Sequence, residues 1–243
     1  MMRVHVAVVA SNPLKPASGR IARDVAKFLA RRGVTVSRSA AHADLLVVVG
    51  GDGTLLHFCK EYDLPIFGIG GQHSRICQAK AGAWRARLSR ALRGFSTERR
   101  TMLACDRARE HRAREHRALN DVVVKSADAR LVKLRVSVGR RTWAFLADGL
   151  VFSTPTGSSA YFYSCGGRLL RPNEKKFGIA AIAPYLRAFR PTVFADCARA
   201  SVRLEKGTAC IVVDGQPAGT LRVGETLRVA RARQSVRLVR VPS

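Results

Sequence analysis

Acidic residues are scarce in this chain: 17 Asp and Glu stand against 43 Lys and Arg among 243 residues, a formal net charge of +26. Such a field attracts polyanions, which leaves three readings open: nucleic acid, a polyphosphorylated small molecule, or simply a solvated cationic surface. Aromatic residues make up only 7% of the chain, and no RNP-like or other recognised nucleic-acid motif is present, so any nucleic-acid contact is expected to be non-specific. No apolar run approaches the roughly 18 residues of a membrane-spanning helix, and the opening "MMRVHVAVVASNPLKP" has neither the apolar length nor the small-residue cleavage site of a signal peptide. The six cysteines (59, 77, 105, 165, 197 and 210) are scattered without a CxxC pair, which points to a reduced, cytoplasmic protein. The six histidines form no HxxxH or His/Cys cluster, so no structural zinc is expected, and no Ser-His-Asp arrangement finds support.

Hydrophobic content of 47% and charged content of 25% are ordinary for a globular chain of one large or two small domains. Residues 4–9, "VHVAVV", read as a buried strand, followed by a loop that two prolines break. Ile21, Val25, Phe28 and Leu29 recur at helical spacing, with Arg20, Arg23, Lys27 and Arg31 elsewhere on the cylinder and Gly33 at the end. "VTVS", "DLLVVV" (44–49) and "PIFGIG" read as further strands, and "LLHFCKEY" as a helix. Runs that are apolar on both faces, alternating with helices, predict a parallel sheet covered by helices. Trp84, Leu88, Leu92 and Phe95 form another helical stripe; the intervening Arg85, Arg87, Arg90 and Arg93 suit a solvated face or a polyanion contact.

From about residue 97 the segments become short, β-branched and separated by turn signals, as in "LNDVVVK", "ARLVKLRVSVG" and "ASVRLEKGTACIVVDG". The expected architecture is therefore an α/β N-terminal domain with a Rossmann-like parallel sheet over 1–96, and a mostly antiparallel all-β C-terminal domain over 97–243. A tandem pentapeptide, "AREHRAREHR" (108–117), suits a helix surface or a hairpin arm and receives no function.

The chemistry starts at "VVVGGDGTLLH" (47–57). Gly50, Gly51 and Gly53 remove three Cβ atoms, so backbone amides can approach an oxyanion. Thr54 is expected to open a helix whose N-terminal amides favour negative charge. A lone carboxylate, Asp52, in such a place makes sense if it takes a proton or holds a cation. Both needs arise when a hydroxyl attacks a phosphoryl group shielded by Mg²⁺. This loop alone resembles those of NAD kinases, of diacylglycerol and sphingosine kinases and, with Ser for Thr, of phosphofructokinases. A second stretch, "DGLVFSTPTGSSAYFYSCGG" (148–167), gathers the hydroxyls of Thr154, Thr156, Ser158 and Ser159 into a hydrogen-bonding shelf, with Tyr161 as an aromatic face for a base or ribose.

"GGDGT", "NDVVV" (120–124), "DGLVFSTPTGSSAY" and "VDGQ" (213–216), in that order, make the chain resemble the NAD kinase family over nearly its whole length. The "GTxND" element of the lipid kinases is missing, since that region reads "GIGGQHSRICQAKAG", which leaves a GGDGT-type lipid kinase and a basic nucleic-acid-binding protein as alternatives. The resemblance implies phosphoryl transfer from ATP or polyphosphate to the 2′-hydroxyl of the adenosine ribose of NAD, giving NADP, with Mg²⁺ or another divalent cation accompanying the donor. It implies Asp52 as catalytic base, and Gly50, Gly51, Gly53 and Thr54 at the phosphates. Asn120 and Asp121 would fix the adenosine; Thr156, Ser159, Ala160 and Tyr161 would line the adenine and ribose; Asp148 and Ser164 would lie on the nicotinamide side. A homodimer or homotetramer, with no metal site of its own and no membrane partner, belongs to the same expectation. Asp214 reads either as a hairpin turn or as a site residue. Three departures stand out: Asp121 replaces a Glu; Gly70, Arg75 and Ile76 stand where the family has Asn, Gly and an aromatic; and no segment follows "VRVPS" to fold back onto the first domain, so weaker interdomain packing is expected.

Overall fold

A computed structural model describes residues 3–107 and 115–241, so residues 108–114 of the tandem pentapeptide lie outside the described residues. The chain divides into two compact units, Met1–Arg100 with Val236–Ser243, and Thr101–Ser235. The division falls a few residues after 97, and the last residues belong to the first unit, where the sequence placed them in the second. The reason is a strand pairing: Arg237 and Leu238 lie parallel to Pro65 and Ile66. The residues just before "VRVPS" thus pair with the first unit's sheet themselves.

In the first unit, chain order runs β1 (Val6–Ser11), α1 (Pro16–Ala30), β2 (Thr35–Ser37), β3 (Leu45–Val49), α2 (Asp52–Phe58), β4 (Pro65–Gly70), β5 (Ala79–Lys80) and α3 (Trp84–Arg93). β1 pairs with β2 and β3, β3 with β4, and β4 with β5, all in parallel. Every residue of β3 and β4 is buried, as strands covered on both faces require. α1 begins five residues before the apolar stripe starting at Ile21, because Pro16 occupies the first helical position, where its missing N–H costs nothing. The proline read as a loop breaker is a helix starter. α2 spans Asp52–Phe58, so it begins three residues before the "LLHFCKEY" stretch and covers only its first four residues.

α3 buries Trp84, Leu88 and Ala91 and leaves Arg85, Arg87, Arg90 and Arg93 exposed. Trp84 meets Phe28 edge-on, with ring centroids 5.1 Å apart, and the Arg85 guanidinium lies over the Trp84 ring at 4.6 Å. The core of this unit joins Val25 and Leu29 of α1, β3, β4, α3 and Phe95.

Into the second unit lead β6 (Ser96–Arg107) and β7 (His116–Ala118), then β8 (Asp121–Ser126), β9 (Val132–Val138), β10 (Arg141–Ala147), β11 (Gly149–Ser153), a four-residue α4 (Tyr161–Ser164), β12 (Lys176–Ile182), β13 (Thr192–Ala195), β14 (Ala200–Lys206), β15 (Ala209–Val213), β16 (Gln216–Leu221) and β17 (Thr226–Arg240). Two antiparallel layers result. One follows the order β10-β9-β14-β17, the other β13-β12-β11-β8-β15-β16. Alternation on β9, with Val132, Leu134, Val136 and Val138 buried between exposed or half-exposed residues, turns one face inward. Those side chains share one core with Val122, Val124, Leu150, Phe152 and Ile211 of the other layer.

Because α3 is held by its buried stripe, Leu88→Ala is expected to cost about 2–5 kcal/mol, whereas Arg87→Ala is expected to stay within about 0.5 kcal/mol. Urea unfolding midpoints of the two variants check both values.

Candidate active site

The glycine loop of the first unit is shaped by two residues that only glycine suits. Gly50 and Gly51 have φ of +149° and +98°. A Cβ on Gly50 would come within 2.4 Å of Thr54 Oγ1, so the bare backbone is what lets the buried Thr54 pack beneath the turn. The helix opens at Asp52, two residues earlier than the sequence suggests. Asp52 is half-buried. Its Oδ2 accepts a hydrogen bond from the Arg75 amide at 2.7 Å, and its Oδ1 one from the Ile76 amide at 3.1 Å. The stretch that departs from the family pattern therefore holds the carboxylate through its backbone, which is indifferent to the side chains at 75 and 76.

That loop is itself folded tightly. A Cβ on Gly70 would lie 2.2 Å from Ser74 Oγ, so an Asn at this position does not fit this loop path. Lys80 Nζ donates to the carbonyls of Gln72 and Ser74 at 2.7 and 2.6 Å and fastens the loop. Cys77 lies beside Asp52, and burial first, then the aspartate's charge, push its thiol up to about 12. The thiol stays protonated and donates to Asp52.

In the second unit the organising group is Asp214. It occupies the turn between β15 and β16 with φ +49°; its Oδ2 accepts from the Leu119 amide at 2.9 Å, and its Oδ1 from those of Asn120 and Asp121 at 2.7 and 3.2 Å. Asp214 is thus both a turn residue and the anchor of the segment entering β8. Its signal in the sequence was the "VDG" turn, which does not say what the carboxylate holds. Against the same segment packs Gly157: a Cβ there would lie 2.1 Å from the Asn120 carbonyl oxygen.

The expected shelf of four hydroxyls resolves into two kinds. Thr154 and Ser158 are buried and spent on the backbone: Thr154 Oγ1 donates to the Leu119 carbonyl and accepts from the Gly157 amide, while Ser158 Oγ donates to Pro155 O at 2.8 Å and accepts from the Leu170 amide at 2.9 Å. Thr156 differs. Its Oγ1, like Asn120 Oδ1, is buried without any hydrogen-bond partner, an arrangement that costs on the order of 1–3 kcal/mol per group. Ser159 is half-buried, and Ala160, Tyr161, Ser164 and Asp148 are exposed, whereas Asp121 is buried. α4 turns Phe162 fully inward onto Val123, Val151 and Ala180, which leaves Tyr161 and Tyr163 facing out. Burial raises the Tyr161 hydroxyl above its ordinary range, with added effects of Cys165 and of the Asp121 and Asp148 carboxylates. Tyr161, Asp121 and Asp148 accordingly share one neighbourhood.

Among the described residues no three His, Cys, Asp or Glu side chains converge on a point where a metal ion would be caged.

The fold is that of kinases acting on nicotinamide dinucleotides: the chain superposes on the crystal structure of yeast NADH kinase complexed with NADH with a TM-score of 0.87 (19% identity, 98% of this chain and 83% of that one). It also superposes on an NAD kinase from Archaeoglobus fulgidus in complex with ATP, with a TM-score of 0.80 (24% identity, 97% and 94%). The family profile described as ATP-NAD kinase C-terminal domain matches residues 119–241. The NAD kinase of Syntrophotalea carbinolica is 32% identical over 94% of this chain and 90% of its own length, and that of Gemmatimonas aurantiaca 38% identical over 82% and 73%. The chain belongs to the NAD kinase family. The lipid-kinase and nucleic-acid readings gain nothing from these relatives.

Asp214→Ala strands three backbone N–H groups and is expected to lower stability by about 2–4 kcal/mol, readable as a drop in the thermal midpoint. At pH 8 a thiol titrating near 12 is ionised in only about one copy in ten thousand. Iodoacetamide should therefore modify the exposed Cys197 well before Cys77 in the folded protein, which peptide mass mapping resolves.

Proposed function

We propose that the chain transfers the terminal phosphoryl group of ATP to the 2′-hydroxyl of the adenosine ribose of NAD, giving NADP and ADP. The observation that carries the dinucleotide half of this reading is the pair of buried, unpartnered groups, the Asn120 Oδ1 acceptor and the Thr156 hydroxyl, in a segment that Asp214 and Gly157 hold rigid. Native proteins seldom leave such groups unpaired without a reason, and the polar edges of an adenosine supply the missing partners. Tyr161 offers an exposed aromatic face beside them. The roles given to Asp121, Asp148, Ser159, Ala160 and Ser164 belong to the same proposal.

Asp52 is the general base. As the ribose oxygen attacks the terminal phosphorus, the P–O bond to ADP breaks, and the hydroxyl proton passes to the Asp52 carboxylate. Its two amide donors and the Cys77 thiol fix the carboxylate's orientation, so little reorganisation accompanies the transfer. Gly50, Gly51, Gly53 and Thr54 form the turn that meets the phosphates. A divalent cation, Mg²⁺ by its chemistry, would accompany the donor: it keeps several waters and binds chiefly through substrate phosphates. Asp52 is the one carboxylate of the loop that would reach it, and the ion would neutralise charge on the phosphates. Inorganic polyphosphate as an alternative donor, a homodimer or homotetramer as the working assembly, and a cytoplasmic location complete the proposal. No described helix is long and apolar enough to cross a membrane.

A coupled assay with NAD, Mg²⁺ and ATP tests the whole reading: NADP is the expected product, and a folded protein that makes none with either donor overturns it. Asp52→Asn should lower kcat by about 10²–10⁴ with the NAD Kd nearly unchanged. Thr156→Val should instead weaken NAD binding by about tenfold, the effect of losing one buried hydrogen bond.

A further inference from the structure

A cavity of about 550 Å³ lies within the second unit, and its lining shares no residue with the loops described above. It is built around β14 and β17 of the first layer, whereas Asn120, Thr156 and Tyr161 accompany β8 and β11 of the other. Among the described residues four arginines line it: 199, 228, 231 and 233.

Two features of the sheet put them there. On β17, Arg228 is exposed and Val229 buried, but after the half-buried Ala230 it is Arg231 and Arg233 that are exposed, with Ala232 buried between them. Strict alternation would put Arg231 and Arg233 on the face opposite Arg228, yet all three line the cavity. The register of the neighbouring strand then adds the fourth: Ala200 faces Val229, so Arg199 stands one step beyond it.

Compensation is incomplete. Arg231 Nη1 is 2.8 Å from the buried Asp196 carboxylate, and Arg228 lies 4.0 Å from Asp106. Among the described residues neither Arg199 nor Arg233 enters an ion pair, and the acids on the lining are Asp106 and Glu115. Guanidiniums on the lining of a recess of this size can recognise tetrahedral oxyanions by paired hydrogen bonds. Among the described residues no aromatic side chain lines the cavity, so a nucleobase would find no stacking face on them. The two acids limit an extended polymer such as nucleic acid, whose backbone would run past them.

We propose that this cavity is a second anion site, separate from the kinase centre, that takes a short inorganic oligophosphate. Occupancy bridges Arg199 and Arg233 through phosphoryl oxygens, with Arg231 held in place by Asp196.

The test is calorimetric titration of the whole protein with sodium tripolyphosphate at about 0.15 M salt, where diffuse attraction between exposed charges is screened. Three proteins are compared: the natural chain, R199A/R233A, and R85A/R87A, which removes the same charge from the exposed face of α3. The natural chain and R85A/R87A should bind alike, and R199A/R233A about tenfold or more weaker, with its ATP-dependent NADP formation unchanged. An equal loss in both variants would reduce the effect to the overall cationic field and overturn the proposal. So would unaltered affinity in R199A/R233A, or no saturable binding by the natural chain up to about 1 mM. Sulfate titrated in parallel separates a preference for linked phosphoryl groups from binding of any dianion: equal affinity for sulfate would overturn the oligophosphate assignment.

Discussion

Three backbone amides converging on one carboxylate hold in place the segment of the second unit that enters β8. Asp214 collects the N–H groups of residues 119–121 just where the chain enters β8, a point at which a sheet would otherwise leave donors unsatisfied. With that segment fixed, the Gly157 turn can close against Asn120 at a separation no side chain would permit. Thr154 and Ser158 then stitch the turn to its surroundings. The polar groups left over, on Asn120 and Thr156, are the ones with no internal duty. They are what remains after the backbone has been satisfied.

The first unit applies the same logic in reverse. There the functional candidate is itself the acceptor, and the loop over 71–78 supplies the donors. Because those donors are main-chain groups, they do not depend on which side chains stand at 75 and 76. The constraint has moved to Gly70 and to Lys80, which set the path of the loop.

Much of this was legible in the amino-acid sequence, for physical reasons that differ from feature to feature. Continuous apolar runs such as residues 45–49 announce strands buried on both faces, and the alternation around Leu134 and Val136 announces half-buried ones. Glycine followed by a lone acid after such a run marked the tight turn in which Asp52 is held by backbone amides. Pro16 misled because proline both breaks and begins helices, and only the tertiary setting decides between the two. The shelf of hydroxyls was seen as uniform, since Thr154 and Thr156 are the same residue type two positions apart; which of them is consumed by the fold depends on the partner at residue 119. The arginine-lined cavity was invisible for another reason. Arg199 and Arg233 are distant in sequence and meet only through the register of β14 on β17.

β17 begins in the antiparallel layer of one unit and finishes beside β4 in the parallel sheet of the other. On the ribosome this has an order built into it. Pro65 and Ile66 emerge about 170 residues before the partners that cap their edge, Arg237 and Leu238. The amino-terminal unit therefore completes its sheet only after the carboxy-terminal one has been synthesised, and an exposed edge must survive in the nascent chain until then.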